Sequence, residues 1–269
     1  MVADPRAVES LIAFWADAGV DTALSEAPQD RMKSGLEALR PRLPTSTFEP
    51  APVRPSFVAA PETVVDVAAA RDLAAAANDL TELEAAIAAF EGCPLRFAGA
   101  SRAVFARGRP DAPLMVIGEG PGAEEDAQGA PFVGRAGKLL DRMLAAAGLT
   151  DRVFITNTVF WRPPGNRDPT TAEQQACAPF LERAIALVQP RLLLLAGGAA
   201  AKSVLQRKEG ILAMRGRWFE WRSADGSLEI PALPTLHPAF LLRQPAAKKK
   251  AWEDLLTLVE RLDRPARPT

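Results

Sequence analysis

The sequence predicts an α/β fold, a three-layer α/β/α arrangement on a central, mainly parallel four-stranded twisted sheet, preceded by an N-terminal helical and linker extension. Three observations carry that prediction. Beyond residue 100, short apolar runs alternate with longer helical stretches, which is how strands joined by crossover helices are written in sequence. The 269 residues, 48% of them hydrophobic, suffice for one sizeable core. Between Glu26 and Glu62 stand Pro28, Pro41, Pro44, Pro50, Pro52, Pro55 and Pro61 with few large apolar neighbours, a composition that favours an extended linker.

Taken in order, residues 5–18 place Val8, Leu11, Ile12 and Trp15 at helical spacing and predict a short amphipathic helix. The proline-rich stretch after it sets residues 1–62 apart from a domain spanning 63–269. Residues 63–90, Ala-rich with Leu73, Leu80, Leu83 and Ile87, predict one or two helices leading to Cys93. The strand candidates are Leu114–Ile117, Val153–Thr156, Leu192–Ala196 and Ala232–Thr235. Helices are expected over Ala136–Ala147, Thr171–Val188, Ala199–Gln206 and Ala247–Leu262, and Arg217–Arg222 is a candidate extra strand. Sites in open parallel sheets gather at the carboxyl ends of strands, and each unusual motif of this chain falls at such an end.

The start, MVADPRAVES, has no basic segment leading into an apolar one, and the most apolar run, Leu192–Ala201, is broken by Gly197 and Gly198. Neither a signal peptide nor a spanning helix is expected. Cys93 and Cys177 lie far apart, which argues against a disulfide framework and for a reducing cytoplasm. The net charge of −1 hides an asymmetry: 8 Lys/Arg against 15 Asp/Glu in residues 1–100, then 24 against 18 in residues 101–269. That modest basic excess suits phosphate contact over a limited footprint, and equally an ordinary solvated surface.

Three motifs stand out. Gly118-Glu119-Gly120-Pro121-Gly122 runs on through Ala123-Glu124-Glu125-Asp126 to Pro131-Phe132-Val133-Gly134. Its G-x-G-x-x-A spacing after a strand invites a dinucleotide reading. Pro121 inside the turn and three acids beyond it oppose a bound pyrophosphate. Phe132 is an aromatic in a loop with little local core to enter. At the next strand end, Asn157 in Thr156-Asn157-Thr158 is either a turn former or an amide that donates and accepts toward a base edge. Arg162 and Arg167 follow in a proline-stiffened loop, as phosphate contacts or as surface arginines. The single histidine, His237, lies in PTLHPAFLLR at the end of another strand, before a proline that aims its ring toward the loop crevice. One histidine and two distant cysteines do not make an ordinary zinc site, and no G-x-S-x-G nucleophile turn is present.

Taken together, GEGPGAEEDAQGAPFVGRAGKLLDRML, ITNTVFWRPPGNRDPT, MRGRW and PTLHPAFLLRQPA, in this order over roughly residues 88–262, resemble the family 4 uracil-DNA glycosylases. The resemblance implies a catalytic domain that flips uracil out of DNA and hydrolyses the bond to its sugar. Phe132 would stack on the extruded base, Asn157 would read its polar edge, and His237 would hydrogen-bond its O2. Gly118, Gly120, Pro121 and Gly122 would bring backbone close to the nucleotide. Leu241, with Leu242 second, would wedge into the gap left by the base, and Arg243 and Lys248–Lys250 would hold the DNA backbone. Glu119, with Glu125 second, would position the water. The best-known branch of the superfamily places an Asp where this chain has Gly120, and a thymine-excluding Tyr where it has Gly122.

Family 4 members usually hold a [4Fe–4S] cluster on four cysteines, and here those positions read Phe90, Cys93, Trp161 and Cys177. Two thiolates do not meet the four-ligand requirement, so no cofactor is expected, with Phe90 and Trp161 as an apolar plug. The expected partner is uracil-containing DNA, with no membrane, and the role of the N-terminal extension is open. Excision of hypoxanthine or xanthine, or lesion binding without hydrolysis, are the rival activities.

Overall fold

The computed structural model describes residues 65–264. The expected N-terminal helix and the proline-rich linker lie outside the described residues. Two helices open the described chain, α1 (Val67–Ala76) and α2 (Leu80–Ala89). Asp66 and Asp79 cap them by accepting from Ala69 N–H and Glu82 N–H, an aspartate side chain taking up an orphan first-turn donor.

A six-stranded sheet follows, built from β1 (Ala106–Gly108), β2 (Leu114–Gly118), β3 (Val153–Asn157), β4 (Leu192–Ala196), β5 (Phe219–Arg222) and β6 (Glu229–Thr235). Its spatial order is β1-β3-β2-β4-β6-β5. The four strands expected from apolar runs form the parallel centre, and the short edge strands β1 and β5 add to them antiparallel. The sheet is therefore larger than the four strands expected. β5 lies within the candidate Arg217–Arg222, whereas Ala106–Gly108 is too short and polar to announce itself as a strand.

Strands β2, β3 and β4 are buried throughout, as the centre of a parallel sheet covered on both faces must be. Alternate residues serve opposite layers. Met115, Ile117, Phe154, Leu193 and Leu195 join one apolar cluster with α1, α2 and α5 (Thr171–Val188). Leu114, Val116, Val153, Ile155, Leu192 and Leu194 join another with α4 (Arg135–Ala146) and α9 (Lys248–Asp263).

The remaining helices are α3 (Ala123–Gln128), α6 (Gly198–Leu205), α7 (Ile211–Met214) and α8 (Pro238–Arg243). α8 occupies sequence expected to be loop. Pro238 at its first turn and the His237 side chain as its N-cap start it, a proline position already prepared for helix. No helix among the described residues is long and apolar enough to cross a membrane.

Candidate active site

The strand register sets the site. Gly118 pairs with Asn157 across β2 and β3, and Ala196 with Thr235 across β4 and β6, so four carboxyl ends lie level. The loops leaving them enclose a cavity of about 530 Å³ whose lining includes Glu119, Phe132, Asn157, His237, Asp168 and Arg243. Gly120, Pro121, Gly122, Glu125 and Arg167 line it too. The aromatic, the amide and the imidazole singled out in the sequence thus face one space.

Asn157 is 1% exposed, and its Oδ1 is the one buried side-chain polar atom without a hydrogen-bond partner among the described residues. Leaving such an acceptor bare costs about 1–3 kcal/mol, a cost that a ligand donor removes. A larger recess of about 890 Å³ between α5, α6 and β5 contains no such atom. Gly118 explains how the amide and the aromatic come so close: a Cβ there would stand 2.4 Å from Asn157 Oδ1 and 2.5 Å from the Phe132 ring.

Phe132 adopts a left-handed backbone, φ 55°, uncommon for a bulky residue and sustained only when its surroundings overdetermine it. Two constraints do so. Arg107 on edge strand β1 donates to the carbonyls of Pro131 and Phe132 at 2.7 and 3.1 Å, while also bonding Asp141 at 2.6 Å. From below, Gly137 of α4 lets the Phe132 carbonyl approach so closely that a Cβ would sit 1.7 Å from its oxygen. The Phe132 and His237 rings then lie 5.8 Å apart, 33° from parallel.

His237 Nδ1 accepts the Ala239 N–H at 3.1 Å, which leaves the proton of a neutral ring on Nε2. Burial first, and the Arg243 charge second, push its pKa down to about 4 against the opposing pull of Glu125. At neutral pH the ring is an uncharged Nε2–H donor.

Glu119 and Asp168 line the cavity from different loops, near enough for Asp168 to act on the Glu119 carboxyl. Burial, and then the charge of Asp168, raise Glu119 to about 7. The Glu119 backbone carbonyl accepts from Thr158 Oγ1 at 2.6 Å and from Val159 N–H, which ties this turn to the end of β3. The Asp168 loop is tied down as well. Glu173 grips Arg167 with both carboxylate oxygens, 2.6 and 2.8 Å, and accepts the Thr170 N–H. Arg167, expected on phosphate, is thus engaged as a loop clamp, and Arg162 donates to Asn166 Oδ1 at 2.7 Å.

Glu125, the second water-positioning candidate, has its carboxylate filled by the N–H groups of Gly122, Val133 and Gly134 at 2.9–3.1 Å. It ties the glycine turn to the Phe132 loop. Gly122 is the consequence: a Cβ there would lie 2.8 Å from Glu125 Oε2, so a tyrosine at this position would displace the clamp. Gly120 is confined too, its Cβ position 2.8 Å from Val159 Cγ2.

Leu241, expected as the wedge, is fully buried and packs with Leu139, Leu236 and Ala251. Folding of PAFLLR into α8 turned it inward, so it presents no side chain to a duplex. Leu242 is half-buried and Arg243 exposed. Arg107, Asp168 and Glu173 are the residues that sequence reasoning missed. None carries a local signal beyond the acid at N3 of a capping box, T-x-x-E at Thr170 and Glu173.

Residues 105–256 match the family described as the Uracil DNA glycosylase superfamily. The chain belongs to that superfamily. Within it, the chain is 39% identical to the type-4 uracil-DNA glycosylase of Sulfurisphaera tokodaii over 63% of its own length and 79% of the relative's. It is 37% identical to that of Pyrobaculum aerophilum over 66% and 91% of the two chains, and 39% identical to that of Thermotoga maritima over 56% and 77%. These similarities place it in the type-4 branch.

The family's cluster positions can be tested against that membership. Phe90, Cys93, Trp161 and Cys177 fall in one apolar cluster and are nearly or fully buried. The two sulfurs stand 3.9 Å apart. Edge-on contacts run from Phe90 to Phe180 at 5.1 Å, from Phe180 to Phe160 at 6.4 Å and from Phe160 to Trp161 at 6.4 Å. Burial pushes the Cys177 thiol well up, and its contact with Cys177 holds Cys93 below the usual thiol range. Two thiols among packed aromatic rings do not supply the four thiolates of a [4Fe–4S] cluster. The residues present do not fit that group.

Proposed function

We infer that this chain flips uracil out of DNA and hydrolyses its N-glycosidic bond, leaving an abasic site, with uracil-containing DNA as its substrate. The observation that carries the inference is the orphaned Asn157 Oδ1, which shares one cavity with the His237 Nε2–H donor and the Phe132 ring. A pyrimidine with an N–H beside a carbonyl matches the amide, and the aromatic ring supplies a plate for stacking.

Departure of the base leaves negative charge on uracil and cationic character on the sugar. Catalysis requires donors that bind the departing anion better than the intact nucleotide. His237, neutral and held by Ala239, donates Nε2–H to O2, where that charge collects. Asn157 Oδ1 accepts N3–H and its amide nitrogen donates to O4. Glu119, with Asp168 beside it on the cavity lining, orients water toward C1′ of the sugar. The water oxygen bonds to C1′, the C1′–N1 bond breaks with its electrons going to uracil, and the water proton passes to the carboxylate pair. Gly118, Gly120, Pro121 and Gly122 supply the backbone wall, and Arg243 at the rim meets phosphate. Leu242 is the wedge candidate left to the site by the inward turn of Leu241.

No step needs a metal. Phe90 and Trp161 fill the volume that the family gives to its cluster, and iron analysis of the purified protein tests this: stoichiometric iron overturns it. The cytoplasm, where two free thiols stay reduced, is the proposed compartment.

The deciding experiment is a gel assay on uracil-containing oligonucleotides with alkali cleavage of abasic sites, comparing the parent with Asn157→Ala and His237→Ala. Each variant is expected to lose at least about 100-fold in rate; Asn157→Ala should melt like the parent, and His237→Ala, which removes the N-cap of α8, about 1 kcal/mol below it. If both excise uracil as the parent does, the pocket assignment fails. Scission confined to hypoxanthine or xanthine would redirect the substrate.

A further inference from the structure

Beside the cavity, the start of α9 carries a recess that the mechanism above does not use. Trp252 stands one turn along the helix from Lys248 and Lys249, at i+4 and i+3 from them. With Met143 of α4 they enclose about 300 Å³. The lysines are exposed, and Trp252 is 37% exposed. The acids of α9 are directed elsewhere, Glu253 and Asp254 to Arg215, Glu260 to Arg264 and Asp263 to Arg152. Lys248 and Lys249 are left without a carboxylate partner among the described residues.

A short stretch of chain joins the recess to the active site. Arg243, the last residue of α8, lies on the cavity lining, and the single turn Pro245–Ala247 leads from it to Lys248. α8 packs on α4, the helix that supplies Met143.

We propose that this recess binds the DNA strand running away from the flipped uracil, with Lys248 and Lys249 on its phosphates and the Trp252 indole against an unstacked base. An aromatic face rimmed by uncompensated cations is how proteins hold single-stranded nucleic acid, phosphates by charge and bases by stacking. A protein partner fits less well. Only two apolar side chains line the recess, far short of the roughly 800 Å² per side that a stable interface buries.

The proposal rests on the glycosylase reading, and substrate length separates the two. Full-length parent, Lys248→Ala/Lys249→Ala, Trp252→Ala and Trp252→Leu are compared on single-stranded oligonucleotides that extend two or ten nucleotides to each side of the uracil. On the long substrate the lysine pair is expected to flatten the slope of log kcat/KM against log salt by about 1.4. Either tryptophan variant is expected to lose about ten-fold in kcat/KM on it. On the short substrate all four proteins should agree, which controls for folding. Equal losses at both lengths, or no loss at either, overturn the proposal. So does a gain on the long substrate, the sign of a recess covered by the acidic N-terminal segment. If the parent excises uracil at neither length, the glycosylase reading itself fails and the proposal falls with it.

Discussion

At the ends of β2, β3 and β6 the fold buries polar groups and leaves one unsatisfied. Around Cys93 and Cys177, in the layer beneath α1, α2 and α5, it buries aromatic rings edge to face. The first region stores free energy: a bare Asn157 oxygen and a phenylalanine in a left-handed backbone. The second stores none of that kind. Its thiols contact each other, and neighbouring rings make the edge-on contacts that aromatic pairs favour. A site that must recognise a ligand keeps cost in reserve for that ligand to remove. The region of the two thiols is packed with rings instead, where a void would cost stability.

Three measurements press on this contrast. The largest effect is expected from Gly118→Ala, whose Cβ would strike both Asn157 Oδ1 and the Phe132 ring. Excision should fall by about 100-fold or more, since displacements of about an ångström at a reacting site cost that much. Circular dichroism should stay near the parent. Activity close to the parent would mean that the amide and the ring do not act at their observed separation.

An intermediate effect concerns pH. Glu119 is raised to about 7, so its carboxylate forms as pH rises through that value. His237, at about 4, stays neutral over the same range. Single-turnover excision should therefore rise with pH on an acid limb near 7. Asp168→Asn removes a neighbouring negative charge and should move that limb to lower pH, while Glu119→Gln should abolish it along with most activity. An unmoved limb in Asp168→Asn detaches the two carboxyls. The smallest effect belongs to the other region: Cys93→Ala and Cys177→Ala should each cost about 1 kcal/mol of stability in denaturant melts and leave excision within about two-fold. A large loss of activity would give the thiols a role that their packing does not suggest.

Several site elements were legible because they are local. Continuous apolar runs marked β2, β3, β4 and β6, since a strand covered on both faces has no reason to alternate. Glycines, an amide and a lone histidine at those strand ends marked the cavity. The edge strand β1 and the helix α8 were not legible by that signal, one too short and the other hidden in a motif read for its chemistry. Pro238 behind a capping His237 was the available clue to α8, and it explains why Leu241 faces the core.

By itself, then, the sequence determined which segments form the central strands and which side chains stand at their ends, because continuous apolar runs mark strands covered on both faces. Only the tertiary structure decided what each charged group faces. Arg167 meets Glu173, Arg107 meets the Phe132 loop, Glu125 meets three backbone amides, and Asp168 meets Glu119. The physical reason is that a charge takes its role from whatever lies within a few ångströms, and for Arg107 and Asp168 those neighbours come from separate segments of the chain.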